Sequence, residues 1–259
     1  MNRRRFLCNA MIHCSLFPAI SHAAAPGNVN PRGFHLTPGD EPDRLTNEVL
    51  DKIVLARRTT RDFRPEYPDQ SAIRGIITAG LHAPYALAAV ENYKDGPFRR
   101  FFIMRKDGTT IQKASALLNA KVKEEADGIR RKGADERAYL LRSDSWLDRL
   151  DMFSALGHVP GVTNAPYFIV IAEHRGIPDL GEHALAHCLE NMWLKATALG
   201  LGFQIISMTS YMGDDPDFCA LLGLAAREWD LMGCAVGYAQ KPLPPSTRDS
   251  FDNSARWLS

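Results

Sequence analysis

Residues 181–208 read GEHALAHCLENMWLKATALGLGFQIISM, and the order in which this stretch sets out its segments decides the fold. Apolar residues recur from Ala184 to Leu199 with helical spacing, which predicts one long helix. Gly200 and Gly202 stop that helix, and Phe203 to Met208 then read as a core strand. Gly200, Leu201 and Gly202 form a G-x-G, but it follows a helix and precedes a strand. A dinucleotide fingerprint needs the reverse order, because the pyrophosphate sits on the N-terminus of the helix that follows the glycines. These glycines therefore read as a helix C-cap, and a Rossmann site is excluded. No P-loop occurs elsewhere in the chain.

Working outward, Ala165 to His174 (APYFIVIAEH) is a short continuous apolar run that predicts a central strand. Leu231 to Gln240 (LMGCAVGYAQ) predicts the last strand, and Phe98 to Gly108 (FRRFFIMRKDG) an earlier one ending in a turn at Asp107 and Gly108. Before them, Thr46 reads as the cap of a helix with Val49, Leu50, Ile53 and Val54 on one face. Asp69 reads as the cap of another, with Ile73, Ile76, Ile77 and Leu81 at helical spacing. Residues from about Ile111 to Asp151 are helical and heavily charged, as a solvated face would be. The class that follows is α+β, a central mixed or antiparallel sheet flanked by helices.

The balance of 45% hydrophobic and 24% charged residues in 259 is that of a globular domain with a full core. The N-terminus begins with Arg3, Arg4 and Arg5, continues through a short apolar stretch from Cys8 to Ile20, and offers a small-x-small cleavage site at Ser21 to Ala23. That is the pattern of a signal peptide over 1–23, too short to span a bilayer as a helix. Arg3 to Leu7 also resemble the twin-arginine export pattern, which implies periplasmic or otherwise exported location and no stable membrane insertion after signal removal. An extended leader over 24–45 and one domain over 46–259 complete the expected organisation. Without the signal, 28 basic residues face 30 acidic ones, which argues against a nucleic-acid partner. Cys188, Cys219 and Cys234 remain, with no CxxC and no tight spacing, and read as buried small apolar residues.

What needs explaining is LARRTTRDFRPE, Leu55 to Glu66, which sets Arg57, Arg58, Arg61 and Arg64 around Thr59 and Thr60. Guanidinium groups present paired donors in a plane and hold phosphate well, and threonine hydroxyls complete such a cradle. The same arginines would equally cap carbonyls at the end of the preceding helix or pair with Asp51 and Asp62, and spacing alone does not separate the two readings. His183, His187 and Glu190 share one helix face at i, i+4 and i+7, but nothing elsewhere supplies a further ligand, so no metal is expected. No G-x-S-x-G elbow supports a hydrolase.

Taken in order, these segments resemble the FMN-dependent nitroreductase family. Its R-R-S-x-R-x-F motif is similar to Arg57 through Phe63, its A-P-S to Ala83, Pro84 and Tyr85, and its long core helix to Leu189 through Gly202. Leu221 to Leu224 (LLGL) and GYAQKPLPP followed by Arg248 resemble the family's ending. The resemblance spans about Thr46 to Trp257. It implies a homodimer with FMN at the subunit interface. In this reading Arg57, Arg58, Thr59 and Arg61 hold the phosphate, ribityl chain and ring edge, and Arg248 joins at the phosphate. Pro84 and Tyr85 come from the partner subunit, and Ser207 and Met208 place backbone groups beside the flavin's reactive nitrogen.

The implied activity is ping-pong electron transfer to a small aromatic, quinone-like or nitro acceptor. A non-redox ligand-binding role or another flavin chemistry such as reductive dehalogenation stands beside it, and Tyr85, Tyr93, Trp146 and Phe153 are candidates for a lid. The electron donor is not legible in the sequence, although export would separate the protein from a nicotinamide pool. Tyr85 stands where the family has serine, and Gly96 where glutamine would sit. The family's G-G-F aligns with Ser207 and Met208 counted from the helix but with Tyr211 and Met212 counted back from Leu221.

Overall fold

The run Tyr167–His174 carries no polar alternation because it has no solvent face. It forms β2, and seven of its eight residues are buried. In a strand successive side chains point to opposite sides. Phe168, Val170 and Ala172 join one core cluster, while Tyr167, Ile169 and Ile171 join a second, so both faces of the sheet are covered. The computed structural model describes residues 44–85, 96–132, 136, 143–244 and 247–258. The signal segment, the leader up to residue 43 and Tyr93 lie outside the described residues, and Arg44 and Leu45, expected in the leader, already belong to the first helix.

In chain order the elements are α1 (Arg44–Ala56), α2 (Gln70–Leu81), β1 (Arg99–Arg105), α3 (Thr109–Arg131), α4 (Ser143–Leu156), β2, α5 (Gly181–Ala198) and β3 (Gly202–Ile206). A short 3-10 helix Ser207–Met212, α6 (Pro216–Leu221), β4 (Trp229–Gly237) and α7 (Phe251–Ser254) follow. The strands form a sheet in the order β1-β2-β4-β3, with every neighbouring pair antiparallel. The last strand thus lies between β2 and β3, with Ile169 opposite Cys234 on one side and Cys234 opposite Ile205 on the other. Helices α2 and α5 cover one face, where Ile73, Ile76, Leu185, Cys188, Leu189 and Met192 are buried. The other face carries α3 and the 3-10 helix, through Ile111, Leu118, Val122, Met208 and Met212.

Three expectations change in detail. Thr46 lies inside α1 rather than capping it, since the helix starts at Arg44. Asp69 does sit at the N-cap of α2, but its side chain makes no capping bond; its carbonyl takes the amides of Ala72 and Ile73 instead. Leu81 is 54% exposed, because α2 ends there and its last turn leaves the core.

Two buried features fix the sheet's outer end. Arg99 donates to Glu173 Oε2 at 2.9 Å and to the carbonyls of Gly80 and Ala83, both at 3.0 Å, with a longer bond of 3.3 Å to Pro84. One guanidinium thereby ties β1 to β2 and to the C-terminal end of α2. Burial pushes the Glu173 carboxyl above its ordinary range although Arg99 pulls it down. The three cysteines are free and buried, as their spacing suggested. Burial raises Cys188 to about 12 and Cys234 well above its ordinary value, which keeps both as neutral thiols.

Among the described residues α1 has none that is buried. Leu45, Val49, Leu50, Val54 and Leu55 are each at least 45% exposed, so its apolar face lies open in the single chain. α5 differs. Ala184, Leu185, Cys188, Leu189, Met192, Trp193 and Ala196 form one stripe that is buried within the chain. No helix among the described residues is long and apolar enough to cross a membrane.

Candidate functional site

The two glycines of the opening stretch position the arginine segment. Gly200 takes φ of +71°, and the amides of Gly200 and Leu201 donate to the carbonyls of Thr197 and Ala196, at 3.0 and 2.9 Å. This is a Schellman stop, and it turns the chain directly into β3. At Gly202 the requirement is space. A Cβ there would meet the Thr60 side chain at 2.6 to 2.8 Å. Thr60 is buried at that point, and its amide donates to the carbonyl of Phe203 at 3.0 Å, while Thr59 and Phe203 form a parallel bridge. Farther along, Arg64 donates to Tyr238 and Gln240 to Asp62 through their backbones. The segment after α1 is therefore laid along the outer edge of β3 and the end of β4.

Extended backbone sends alternate side chains to opposite sides, and this sorts the cluster. Thr59 and Arg61 line a cleft of about 410 Å³ together with Gln204 to Met208, the turn Val159–Pro160, and Trp146, Arg149, Met152 and Phe153 of α4. Arg58 and Thr60 line a separate cleft of about 420 Å³ with Gly200 to Gly202 and Lys241 to Leu243. Thus the structure brings together Thr59, Arg61, Ser207 and Met208, and the expectation that Arg58 acts beside Thr59 and Arg61 meets the period-two alternation that separates them.

The remaining predicted positions are engaged elsewhere in the chain. Arg57 lies over the Trp193 ring at 4.2 Å and pairs with Glu190 at 3.1 Å, and Glu190 is in turn the third member of the helix face that could have suggested a metal. Among the described residues no group of three or more possible metal ligands occurs. Arg58 donates to the carbonyls of Leu55, Arg57 and Pro244, at 2.6, 2.7 and 3.1 Å. The carbonyl-capping reading of the cluster is thus realised at Arg58, whereas the pairing of Arg57 is with Glu190 and not with Asp51 or Asp62. Pro84 and Tyr85 are exposed, held by Arg99 and by Tyr85 stacking on Phe98 at 4.2 Å between ring centres, and neither lines the cleft. Arg248 is exposed and bonded only weakly to Thr247, at 3.5 Å.

Both alignments of the family's G-G-F fall in the single 3-10 helix. Ser207 and Met208 line the cleft, Met208 also being buried in the core, whereas Met212 is buried in the core without reaching the cleft and Tyr211 faces outward at 40% exposure. Trp146 and Phe153 were legible as lid candidates. Arg149, Met152 and Gln204 were not, because the sequence places two of them in a charged helix that reads as solvated. Gln204 donates to the Pro160 carbonyl at 3.2 Å and so fixes the turn that closes one end of the cleft.

Chemically the cleft joins apolar walls from Ile205, Ile206, Val159, Met152 and the two aromatic rings to two hydroxyls, a carboxamide and two guanidiniums, and among the described residues no carboxylate lines it. Such a donor set suits a flat, electron-rich ring whose edge carries acceptors, and the volume lies within the common range for small-molecule sites.

Comparison with known proteins agrees with this architecture. The family model described as Nitroreductase family matches residues 54–238. Among solved structures the chain is similar to a BluB-like flavoprotein from Clostridium difficile 630, at 17% identity and TM-score 0.58, covering 81% of this chain and 99% of that one. It is similar to a nitroreductase with bound FMN from Desulfitobacterium hafniense DCB-2, at 19% identity and TM-score 0.56, over 82% and 98% of the two chains. It is also similar to an iodotyrosine deiodinase bound to FMN and 3-iodo-L-tyrosine, at 18% identity and TM-score 0.56, over 78% and 95%. No curated protein matches the chain.

Proposed function

Because the chain belongs to the nitroreductase family, we propose that it is a homodimeric FMN-dependent oxidoreductase that passes electrons to a small aromatic acceptor. The observation that carries this reading is the juxtaposition of Thr59 and Arg61 with Ser207 and Met208 in one apolar-walled cleft. FMN, when bound there, supplies the two-electron acceptance and return.

The chain's own residues supply the rest. Thr59 and Arg61 share one parity of the extended segment, whereas Arg57, whose amide still closes the last turn of α1 on Ile53, lies against Trp193 and Glu190 of α5. Arg61 and the Thr59 hydroxyl hold the ring edge, and charge at that edge favours the reduced, anionic cofactor. Arg57, on leaving Glu190, and Arg248, from the C-terminal segment, would hold the phosphate. The backbone of Ser207 and Met208 lies at the end of β3, where it sets the position of the ring. Pro84 and Tyr85 serve the partner subunit's site, on an arm that Arg99 keeps rigid. Ile205, Ile206, Met152 and Phe153 exclude water.

The test is a purification. The parent protein is expected to be yellow, with the absorption spectrum of FMN, and Arg57→Ala with Arg61→Ala to be colourless yet folded. Each lost charge-assisted contact costs about 1.5 to 3 kcal/mol, and together they lower affinity by roughly a hundredfold or more. Arg58→Ala, on the other parity, should stay yellow. A double variant that retains FMN, or an Arg58→Ala that loses it, places the cradle elsewhere.

A further inference from the structure

The cleft has a second wall, of which the cofactor reading uses only Met152 and Phe153, to exclude water. α4 presents Trp146, Arg149 and Phe153 to it at i, i+3 and i+7, opposite Thr59 and Arg61. Residues so spaced share one helix face, so Arg149 lies between two aromatic residues on the wall of the cleft. Among the described residues no hydrogen bond or ion pair engages the side chain of Arg149. One turn away on either side stand Ser145, Trp146, Met152 and Phe153, none of them acidic, and Asp151, two residues on and off this face, pairs with Arg130 of α3. Arg149 therefore faces an apolar cleft that, among the described residues, no carboxylate lines.

A cation without a counter-charge, flanked by rings and set over apolar surface, is an arrangement that selects against neutral ligands. It offers paired donors to an oxyanion and a flat apolar surface to the ring that carries it. We propose that this cleft selects an aromatic acceptor bearing an anionic substituent, with the ring against Trp146 and Phe153 and a carboxylate or equivalent oxyanion held by Arg149. The inference deepens the flavin reading of the same cleft and rests on it. Arg61 serves the cofactor edge, and Arg149 serves the acceptor.

The test compares 4-nitrobenzoate with its neutral methyl ester, near in shape, on the purified protein as isolated. Titration calorimetry gives the two affinities. The parent is expected to favour the carboxylate by tenfold or more. Arg149→Gln should collapse that ratio toward one, and Arg149→Lys, which keeps the charge but not the fork, should keep part of it. A ratio near one in the parent, or a ratio unchanged in Arg149→Gln, overturns the proposal. The flavin reading is judged separately, from the visible spectrum of the same preparation, and the calorimetric ratio is measurable whether or not the preparation is yellow.

Discussion

Arg99 shows how a single side chain can set the position of a segment that the sequence marks only as A-P-Y. Its guanidinium is 2% exposed and Glu173 is 4% exposed, and its other donors are spent on the carbonyls that end α2. Arg99→Ala would leave Glu173 charged and unpaired in the core, so a loss of about 3 to 5 kcal/mol is expected, measurable by denaturant unfolding. The pH dependence has a definite sign. Burial raises the Glu173 carboxyl above its ordinary 4.5 in the folded chain, so the native state holds the proton longer than the unfolded one. Stability contributed by this group is therefore present below 4.5 and falls as pH rises above that value, and Glu173→Gln should remove that slope. Nothing in the spacing of Arg99 and Glu173 announces this pair, since 74 residues separate them and only the β1-β2 register brings them together.

At the scale of elements, the G-x-G is legible as punctuation but not as a spacer. A helix followed by Gly200 and an apolar run predicts the stop and the strand, and both are present, with Gly200 at positive φ. That Gly202 must be glycine follows from Thr60, which arrives from 142 residues earlier in the chain. The two glycines are expected to fail differently. Gly200→Ala strains a left-handed turn with open space around it and should cost about 1 to 2 kcal/mol while leaving FMN bound. Gly202→Ala pushes Thr60 off the sheet edge, with a similar or greater loss of roughly 1 to 3 kcal/mol and a loss of FMN as well, because Thr59 and Arg61 move with it. Thermal melts read the first effect and the visible spectrum the second. The charged helices were legible as helices, but their period did not show that Trp146, Arg149 and Phe153 turn toward a cleft, because the wall opposite is supplied by β3 and by the segment after α1.

For the whole molecule, the continuous apolar run of β2 made a sheet covered on both faces foreseeable, whereas the strand order was not. By its sequence α5, with Met192 and Trp193 in a nearly continuous apolar surface, reads as too broad for a helix covering one sheet face. In the structure its stripe is satisfied internally, and the open face belongs to α1. A dimer that uses this face should dissociate when Leu50→Glu and Val54→Glu place charges in it. Light scattering at low micromolar concentration is expected to give twice the chain mass for the parent and the chain mass for the variant, and a parent that is monomeric there counts against the dimer. The strand order has a consequence in time. β3 carries one wall of the cleft, its ladder partner is β4, and β4 is the last strand to be synthesised. A nascent chain halted before Trp229 has made Arg57 through Met208 yet has no ladder on which to align them, so cofactor capture must wait until β4 has been translated.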